Sequence, residues 1–332
     1  MAVGKSPTTG RGTARTTAGI YKISQQDIEE LQLPLPPLNE QQRIVAKVEE
    51  LFSDLDVAVA TLERVRAKLK RYRAAVLKAA IDGKLTTDWR ARHPATEPAS
   101  ALLARILAER RRRWEDAQRA KFTAADKEPP KGWQAKYLEP TAPAATKSPL
   151  PEGWQGASLG QLLHGIEGGK SFKCLTREAN PGEWGVIKVS AMTWGTFLEE
   201  ENKAIPADAT FDPAHEVLPG DLLLSRCNTT ELVGASVLVG NCRSKLLLSD
   251  KSLRLLPSEA INRNWLHTAL SSTVVRKQLS AMATGTSDSM RNVSQEKIES
   301  VMLPLPSLAE QAAIVEEVER RLSVVDHAAA QV

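Results

Sequence analysis

The chain has 332 residues and a formal net charge of +4 at pH 7, and 5% of its residues are aromatic. This length is enough for two domains that each bury a core. The weak overall charge excludes a uniformly basic nucleic-acid-coating protein, although it leaves room for local basic surfaces.

The cysteines and the apolar segments exclude further classes of protein. Cys174, Cys227 and Cys242 are odd in number and show no C-x-x-C spacing, which argues against a disulfide framework and against a zinc site. No apolar stretch is long enough to span a membrane, and the N-terminus lacks the apolar core of a secretory signal. We therefore expect a cytoplasmic protein with no membrane partner.

An internal repeat organises the chain. Residues Ile23–Asp56 and Val293–Asp326 align without a gap at a spacing of 270 residues, and about half of the aligned positions are identical. Both copies contain the core L-P-L-P-x-L-x-E-Q, which shared helical composition alone would not reproduce in register. Each copy predicts an extended stretch followed by a long helix, because proline lacks an N–H donor and disfavours helix at the preceding residue.

The helix of the first copy continues from about residue 38 to residue 81, and its apolar positions alternate in steps of three and four, as in a coiled-coil seam. The helix of the second copy begins in the same way, with Ser307 and Glu310 in a capping-box pattern. We predict that the two helices pack together and that part of the longer seam is left for another chain; the alternative is two unrelated surface helices. The predicted seam residues are Val48, Leu51, Leu55, Leu62, Val65, Leu69, Tyr72, Val76, Ile314, Val318, Leu322 and Val325.

Residues 83–149 are predicted to be a linker that contains one basic helix over about residues 100–121, including Arg110 to Arg113. This arginine run and the basic helix face from Arg64 to Arg92 each have two interpretations. They are solvated helix flanks, or they contact DNA phosphates without reading sequence.

From about residue 150 the sequence pattern changes to short apolar runs separated by glycines. This pattern predicts a mixed α/β domain up to residue 306. A helix is predicted over Asn264–Leu279, and the strand candidates are Gly185–Val189, Asp221–Ser225, Ala235–Val239 and Ser252–Leu256. The expected fold class is therefore α+β, with one mixed domain and two long helices.

The order of these parts resembles the specificity subunits of type I restriction-modification systems. The motifs that carry the resemblance are LPLPPLNEQQRIV, KAAIDGKLT, ASALLARILAERRRRWE, KGWQAKY, LPEGWQGASLGQLL, PGDLLLSRCNTTELVG and VSQEKIESVMLPLPSLAEQAAIV. In that family two target-recognition domains alternate with two conserved regions, whose long helices form an antiparallel coiled coil that spaces the domains along DNA. The family also includes half-length forms that pair as homodimers.

The resemblance assigns a role to each segment. Residues 1–36 correspond to a remnant of a first target-recognition domain, residues 37–82 to a conserved spacer helix, and residues 83–149 to the linker with its basic helix. Residues 150–306 correspond to a target-recognition domain and residues 307–332 to the second conserved helix. The chain is expected to be a truncated or half-length form, since most of the first recognition domain is missing from it.

Three segments of the recognition domain are candidates for DNA contact. Arginine and asparagine read guanine and adenine edges, and small hydroxyl residues and lysine suit phosphates. The alternatives are ordinary turn chemistry, in which Asn and Thr bond their own backbone, and exposed loop polarity. The candidates are Arg226, Asn228, Thr229 and Thr230 in the first segment, Thr286, Ser287 and Arg291 in the second, and Lys170, Lys173 and Arg177 in the third.

The sequence contains no dinucleotide-binding, methyltransferase or P-loop motif, and its five histidines lie at no metal-ligand spacing. We therefore expect no catalytic residue, no metal and no cofactor in this chain. The resemblance implies double-stranded DNA and modification (methyltransferase) subunits as partners, with restriction and translocase subunits as indirect ones. S-adenosylmethionine, ATP and Mg²⁺ would belong to those partners. The alternative function is a coiled-coil assembly or decoy protein without specific DNA recognition.

Overall fold

The computed structural model describes residues 15–17, 20–22, 24–94, 97–143, 149–193, 195–288 and 290–330; among them, side chains are described from residue 24 onward, except those of residues 27, 286, 329 and 330. Much of the predicted remnant 1–36, part of the linker, and the side chain of Thr286 therefore lie outside the described residues. Among the helices of the described residues, none combines the length and apolar character that a membrane-spanning segment requires.

The helices of the described part, numbered in chain order, are α1 Gln25–Glu29, α2 Leu38–Ile81, α3 Thr87–Arg92, α4 Ala99–Ala124, α5 Leu159–Leu162, α6 Arg263–Ser271, α7 Thr273–Met282, α8 Gln295–Glu299 and α9 Leu308–Ala330. The strands are β1 Arg15–Thr17, β2 Ile20–Lys22, β3 Gln155–Ser158, β4 Leu163–Gly168, β5 Gly185–Ile187, β6 Asn202–Ala204, β7 Leu222–Ser225, β8 Cys227–Asn228, β9 Ser236–Leu238, β10 Leu246–Leu247, β11 Ser252–Pro257, β12 Thr284–Ser287, β13 Met290–Asn292 and β14 Met302–Leu305. Helices and strands together confirm the predicted α+β class.

Five small sheets are present in the described part of the chain. The largest has the order β4-β11-β7-β9, and all its neighbours are antiparallel. In the sheet β10-β5-β6 the pair β10–β5 is parallel, whereas the sheets β12-β13-β8, β14-β3 and β1-β2 are antiparallel. All four predicted strands are confirmed within one or two residues at their ends.

The predicted helix Asn264–Leu279 is wrong in one respect, because it is two helices, α6 and α7. The break lies at Ser272, whose backbone is extended and whose Oγ accepts a hydrogen bond from the backbone N–H of Val275 at 3.3 Å. A serine at this position caps the second helix more favourably than it continues the first.

The chain divides into two compact units, residues 1–65 and residues 66–332. The first unit contains the first copy of the repeat, with its extended L-P-L-P stretch and the start of α2. Leu33 and Leu35 of this stretch are 82% and 85% exposed. Other apolar residues of the first copy are also exposed: Ile28, Leu31, Leu38, Ile44, Val45, Val48, Leu51, Phe52 and Leu55.

The second copy of the repeat is buried, in contrast to the first. Its L-P-L-P stretch forms β14, which pairs with β3, and Leu303 and Leu305 are 0% exposed. The helix-start geometry is nonetheless shared: the Gln41 side-chain amide donates to the Pro36 carbonyl at 2.7 Å, and Gln311 donates to Pro306 at 3.2 Å. The repeat therefore encodes the same local structure twice, and the second copy is covered by β3 and the core around it.

Helix α9 packs against α6 and runs antiparallel to the part of α2 that lies in the second unit. Its seam residues Ile314, Val318, Leu322 and Val325 are buried. The direction follows from two contacts, because Arg73 pairs with Asp326 near the end of α9, whereas Arg90, beyond α2, pairs with Glu310 near its start. The predicted antiparallel packing of the two helices is therefore present in this unit.

The predicted seam on α2 is buried only towards its C-terminal end. Val76 is buried and Leu69 packs against the core, whereas Val65 is half-buried and Tyr72 is 45% exposed. The remaining predicted seam residues, Val48, Leu51, Leu55 and Leu62, are exposed in the first unit.

The segment 83–149, predicted as a linker, contributes to the main core. Helix α4 buries Ala99, Leu102, Leu103 and Ile106 in the same cluster as α9 and the central sheet. Three arginines of its run have partners within the protein. Arg110 donates to the Leu163 carbonyl at 3.1 Å and to the Tyr137 hydroxyl at 3.0 Å, while Arg111 pairs with Glu115 and Arg113 with Glu109. These contacts favour the helix-flank interpretation for the three paired arginines, whereas Arg112 is exposed and phosphate contact by this run stays a prediction.

The predicted capping box at Ser307 is half formed. The Ser307 hydroxyl accepts from the Glu310 backbone N–H at 3.2 Å, but the Glu310 carboxylate turns away from the helix start. It accepts hydrogen bonds from Thr86 Oγ1 at 2.6 Å, from Trp154 Nε1 at 2.8 Å and from Arg90. Glu310 is 2% exposed, and its hydrogen bonds connect α9 to the start and body of α3 and to the segment that leads into β3.

Candidate nucleic-acid interface

Two of the predicted DNA-contact segments meet in one small sheet, β12-β13-β8, which we call the tip sheet. Within it, Arg291 lies opposite Asn228 and Asn292 lies opposite Cys227. Beyond the strands, Thr230 N donates to the Asp288 carbonyl at 3.0 Å, and its hydroxyl contacts the Asp288 carboxylate at 3.2 Å. Segments whose contacting residues lie 58 to 66 positions apart in the chain therefore form one polar surface.

Arg226 lies at the edge of the tip sheet, where β7 leads into β8. Its backbone N–H donates to the Lys251 carbonyl at 3.0 Å, its carbonyl accepts from Val293 N at 2.9 Å, and its Nε lies 3.4 Å from Asn292 Oδ1. The backbone is thus fixed on both sides, and within the described residues no carboxylate pairs with the guanidinium. A positioned arginine of this kind can donate two hydrogen bonds to a guanine edge or to a phosphate.

Other predicted contact residues serve the fold of the tip sheet. The Asn228 Oδ1 accepts from Thr229 N at 2.9 Å, which is the turn chemistry that the sequence left open, while its Nδ2 is buried without an acceptor among the described residues. Arg291 donates to the carbonyls of Gly285 and Ala283 at 3.1 and 2.6 Å and so closes the β12–β13 hairpin.

The Gly285 backbone explains why this hairpin needs a glycine. Its φ is +149°, and a Cβ there would lie 2.4 Å from the Met290 carbonyl oxygen. Any side chain would push the two strands apart and displace the loop with Ser287. The shape of the tip sheet thus depends on a backbone position as well as on its polar side chains.

The third predicted segment is only partly brought to this surface. Lys170 forms a bridge with Ser249, in the turn that also contains Lys251, the backbone partner of Arg226. Lys251 was not predicted, although its position in an Asp-Lys turn between two apolar strands is a signal for an exposed loop. Lys170 and Lys251 therefore add two cations along the edge that carries Arg226; Lys173 is exposed further along the same segment.

Arg177 is separated from this group by its own ion pair. Its guanidinium holds the Glu183 carboxylate through two hydrogen bonds at 2.6 and 3.0 Å, and its carbonyl accepts from Ala204 of β6. The hydrogen bonds from Arg177 lower the pKa of Glu183 to about 2. Arg177 therefore has a carboxylate partner, whereas the described part of the chain offers none to Arg226.

A second polar cluster joins α4 to the central sheet. Glu109, His164 and Glu259 place their ligand atoms within 4.8 Å of one another, a proximity that sequence spacing did not reveal. Arg113 lies among them, donating to Glu109 at 3.1 Å and pairing with Glu259 at 2.6 Å. The guanidinium supplies the positive charge that a metal ion would bring, so the cluster is a salt-bridge network.

This network predicts a defined dependence of stability on pH. The hydrogen bond from His164, followed by smaller contributions from its own backbone and from Arg113, lowers the pKa of Glu259 to about 2 from 4.5. Because the folded pKa is depressed, the stabilisation is complete above pH 4.5 and is lost as the pH falls towards about 2. We expect Glu259→Gln to lower the melting temperature at pH 7 and to have no effect near pH 2.

Thermal melts across this pH range, followed by circular dichroism, measure the effect. The control is Glu200→Gln, which changes an exposed glutamate without an ion pair in the described part. Equal shifts for both variants at pH 7 would contradict the assignment.

Comparison with known proteins identifies the class. The sequence profile described as "Type I restriction modification DNA specificity domain" matches residues 15–66. The type I restriction enzyme EcoEI specificity subunit of Escherichia coli is 32% identical over 269 residues, covering 80% of this chain and 42% of that protein. The EcoKI specificity subunit of Escherichia coli (strain K12) is 25% identical over 315 residues, covering 93% of this chain and 54% of that protein.

Among solved structures, the HsdS subunit from Thermoanaerobacter tengcongensis is 22% identical, with a TM-score of 0.39 over 94% of this chain and 58% of that one. By the sequence matches, the chain belongs to the family of type I restriction-modification specificity subunits. It spans about half the length of the curated relatives it matches, 42% and 54% of the two proteins above.

Proposed function

We propose that the chain is a sequence-specific DNA-binding subunit of a type I restriction-modification complex and that the tip sheet reads one half of a bipartite target. The observation that supports this most directly is the convergence of β8 and the β12–β13 hairpin beside Arg226, an arginine with a fixed backbone and no carboxylate partner among the described residues. Lys170 and Lys251 would contact phosphates beside it, which would orient the duplex without reading its sequence.

The wider assembly is part of the same proposal. The spacer helices would set the distance between half-sites and dock the modification (methyltransferase) subunits, and restriction subunits would join through these. The chain itself would perform no chemistry, so that S-adenosylmethionine, ATP and Mg²⁺ would act in the partner chains. Because DNA would be its ligand, we also propose a cytoplasmic location.

The exposed first repeat supports a further partner. Its apolar residues include the counterparts of residues that the second copy buries, as Leu33 and Leu35 correspond to Leu303 and Leu305. Burial of this much apolar surface is favourable, at about 25 cal/mol per Å². We propose that a second recognition subunit covers it, and a homodimer of half-length chains is the simplest form of this arrangement.

DNA binding by the purified chain together with its modification subunits tests the function. Selection from a randomised duplex library at fixed salt is expected to enrich a short motif. Non-specific binding that disappears as salt rises would instead support an assembly protein without sequence recognition.

The selected duplex then allows a residue-level prediction. Arg226→Ala is expected to weaken specific binding by about 10- to 100-fold, because a bidentate arginine contributes about 1–3 kcal/mol of discrimination. Arg177→Ala is the matched control, since its guanidinium already pairs with Glu183. Fluorescence anisotropy measures both affinities, and an equal loss in the two variants would exclude the tip sheet as the reading surface.

A further inference from the structure

The two faces of the tip sheet carry different side chains. Successive residues of a strand point to opposite faces, and residues paired across neighbouring strands point to the same face. Arg291 and Asn228 are such a pair and share the inner face, where Arg291 Nε and Asn228 Nδ2 are buried. Asn292 and Cys227 are the next pair and share the outer face, together with Met290, two residues before Asn292. The exposure along β13 follows this alternation, since Met290 and Asn292 are exposed and Arg291 is half-buried.

The outer face holds an amide in a defined orientation. Arg226 Nε donates to Asn292 Oδ1 through a long hydrogen bond of 3.4 Å. This contact turns the amide oxygen towards the guanidinium, because the opposite orientation would place two donor groups against each other. The Nδ2 group of Asn292, which has two N–H donors, is thereby turned away from Arg226, and Oδ1 keeps a second lone pair.

A sulfur contact extends this arrangement along the outer face. Met290 Sδ lies 3.3 Å from Cys227 Sγ, and Met290 is 54% exposed. Arg226, Asn292, Cys227 and Met290 therefore form one row, which we call the outer row, although they come from two separate parts of the chain. The row offers a guanidinium, an amide and an apolar group side by side. These are the groups that read guanine, adenine and the thymine methyl in the major groove.

We propose that Asn292, which was not among the candidates found in the sequence, is a specificity-determining residue that reads an adenine. Its Nδ2 would donate to adenine N7 and its Oδ1 would accept from the N6 amino group, the two hydrogen bonds by which asparagine identifies adenine. Arg226 would use its Nη groups for the neighbouring base, since the two side chains are in contact and successive bases are about 3.4 Å apart. This inference rests on the proposed DNA recognition and adds a base identity to it.

Selection from the randomised duplex library, repeated with Asn292→Asp, tests the proposal. Aspartate keeps an acceptor for Arg226 Nε but replaces Nδ2 by an oxygen, so that it cannot donate to adenine N7 and suits the cytosine amino group instead. The variant is expected to lose adenine and gain cytosine at one position of the motif. That position should be next to the one that Arg226→Ala relaxes. An unchanged motif would mean that Asn292 only positions Arg226, and it would overturn the proposal, as would a changed position that is distant from the Arg226 position.

Modified duplexes measure the contact itself. Asn292→Ala is expected to weaken binding of the selected duplex about five- to fiftyfold. Replacing the adenine by 7-deazaadenine removes the N7 acceptor and keeps base pairing, and it should weaken binding of the unmodified chain about three- to tenfold. The same replacement should change the affinity of Asn292→Ala less than about twofold, because that variant has already lost the contact. An equal effect of 7-deazaadenine on both proteins would assign the adenine to another residue.

A matched control and the separation from the proposed function complete the experiment. Asn264 is an exposed asparagine on α6, outside the tip sheet, and Asn264→Ala should keep both the motif and the affinity within about twofold. If the unmodified chain selects no motif, DNA recognition itself is refuted. If it selects a motif that Asn292→Asp leaves intact, only the role of Asn292 is refuted.

Discussion

Glu310→Ala is expected to lower the free energy of unfolding of this protein by about 3–5 kcal/mol, the cost of removing one partner of a buried ion pair. The carboxylate accepts from Thr86, Trp154 and Arg90, and the substitution leaves all three donors without their acceptor. It also creates a small cavity where α9 meets the entry to β3. Urea denaturation followed by circular dichroism measures the loss.

The internal repeat provides a matched control for this variant. Glu40 occupies the equivalent position of the first copy, 270 residues earlier, and is exposed. Glu40→Ala should change the free energy of unfolding by no more than about 0.5 kcal/mol, as for most surface substitutions. A comparable loss at both positions would mean that Glu310 acts through local helix capping instead of through its three distant partners.

Arg254→Met is expected to have a similarly large effect, about 3–5 kcal/mol. Arg254 lies on β11 in the middle of the largest sheet, and its side chain is 8% exposed. It pairs with Asp221 and Glu167 at 2.9 Å each, and it donates to the carbonyls of Ala214 and Glu216. Methionine fills the volume but removes the guanidinium from two carboxylates and two carbonyls, and Asp221 keeps only the backbone N–H of Leu218 as a donor.

An exposed ion pair serves as the control for Arg254. Arg320 holds Glu317 at 2.8 Å on the surface of α9, where solvent weakens the interaction. Arg320→Met should therefore cost less than about 1 kcal/mol. The same urea experiment compares the two variants, and equal losses would show that the buried network contributes no more than a surface pair.

Much of the local structure could be predicted from the sequence. The L-P-L-P repeat predicted an extended stretch followed by a helix, and both copies have that structure, down to the bond from Gln41 or Gln311 to the carbonyl five residues earlier. Short apolar runs between glycines predicted four of the strands of the recognition domain. The segments around Arg226 and Arg291 were predicted to contact DNA because Arg, Asn and hydroxyl residues cluster there; the structure places the two segments side by side, and DNA contact stays a prediction.

Other features could not be found in this way. Arg254 is a lone arginine in an apolar strand, and the sequence does not say which carboxylates will surround it. Arg177 and Arg226 have the same residue type in similar loops, yet one is paired with Glu183 and the other has no carboxylate partner among the described residues. The linker was not expected to reach the core, because the apolar face of α4 is short and is followed by four arginines.

The sequence by itself determined the internal repeat, the type of most elements and the family to which the chain belongs, because these depend on backbone preference and on residues close together in the chain. Only the tertiary structure decided that the second copy of the repeat is buried while the first is exposed, and that Glu310 bonds to Thr86 and Trp154, 224 and 156 residues away. The tertiary structure also brought β8 next to the β12–β13 hairpin to form the tip sheet. Contacts of this kind depend on which surfaces the folded chain brings together, and local pattern does not encode that.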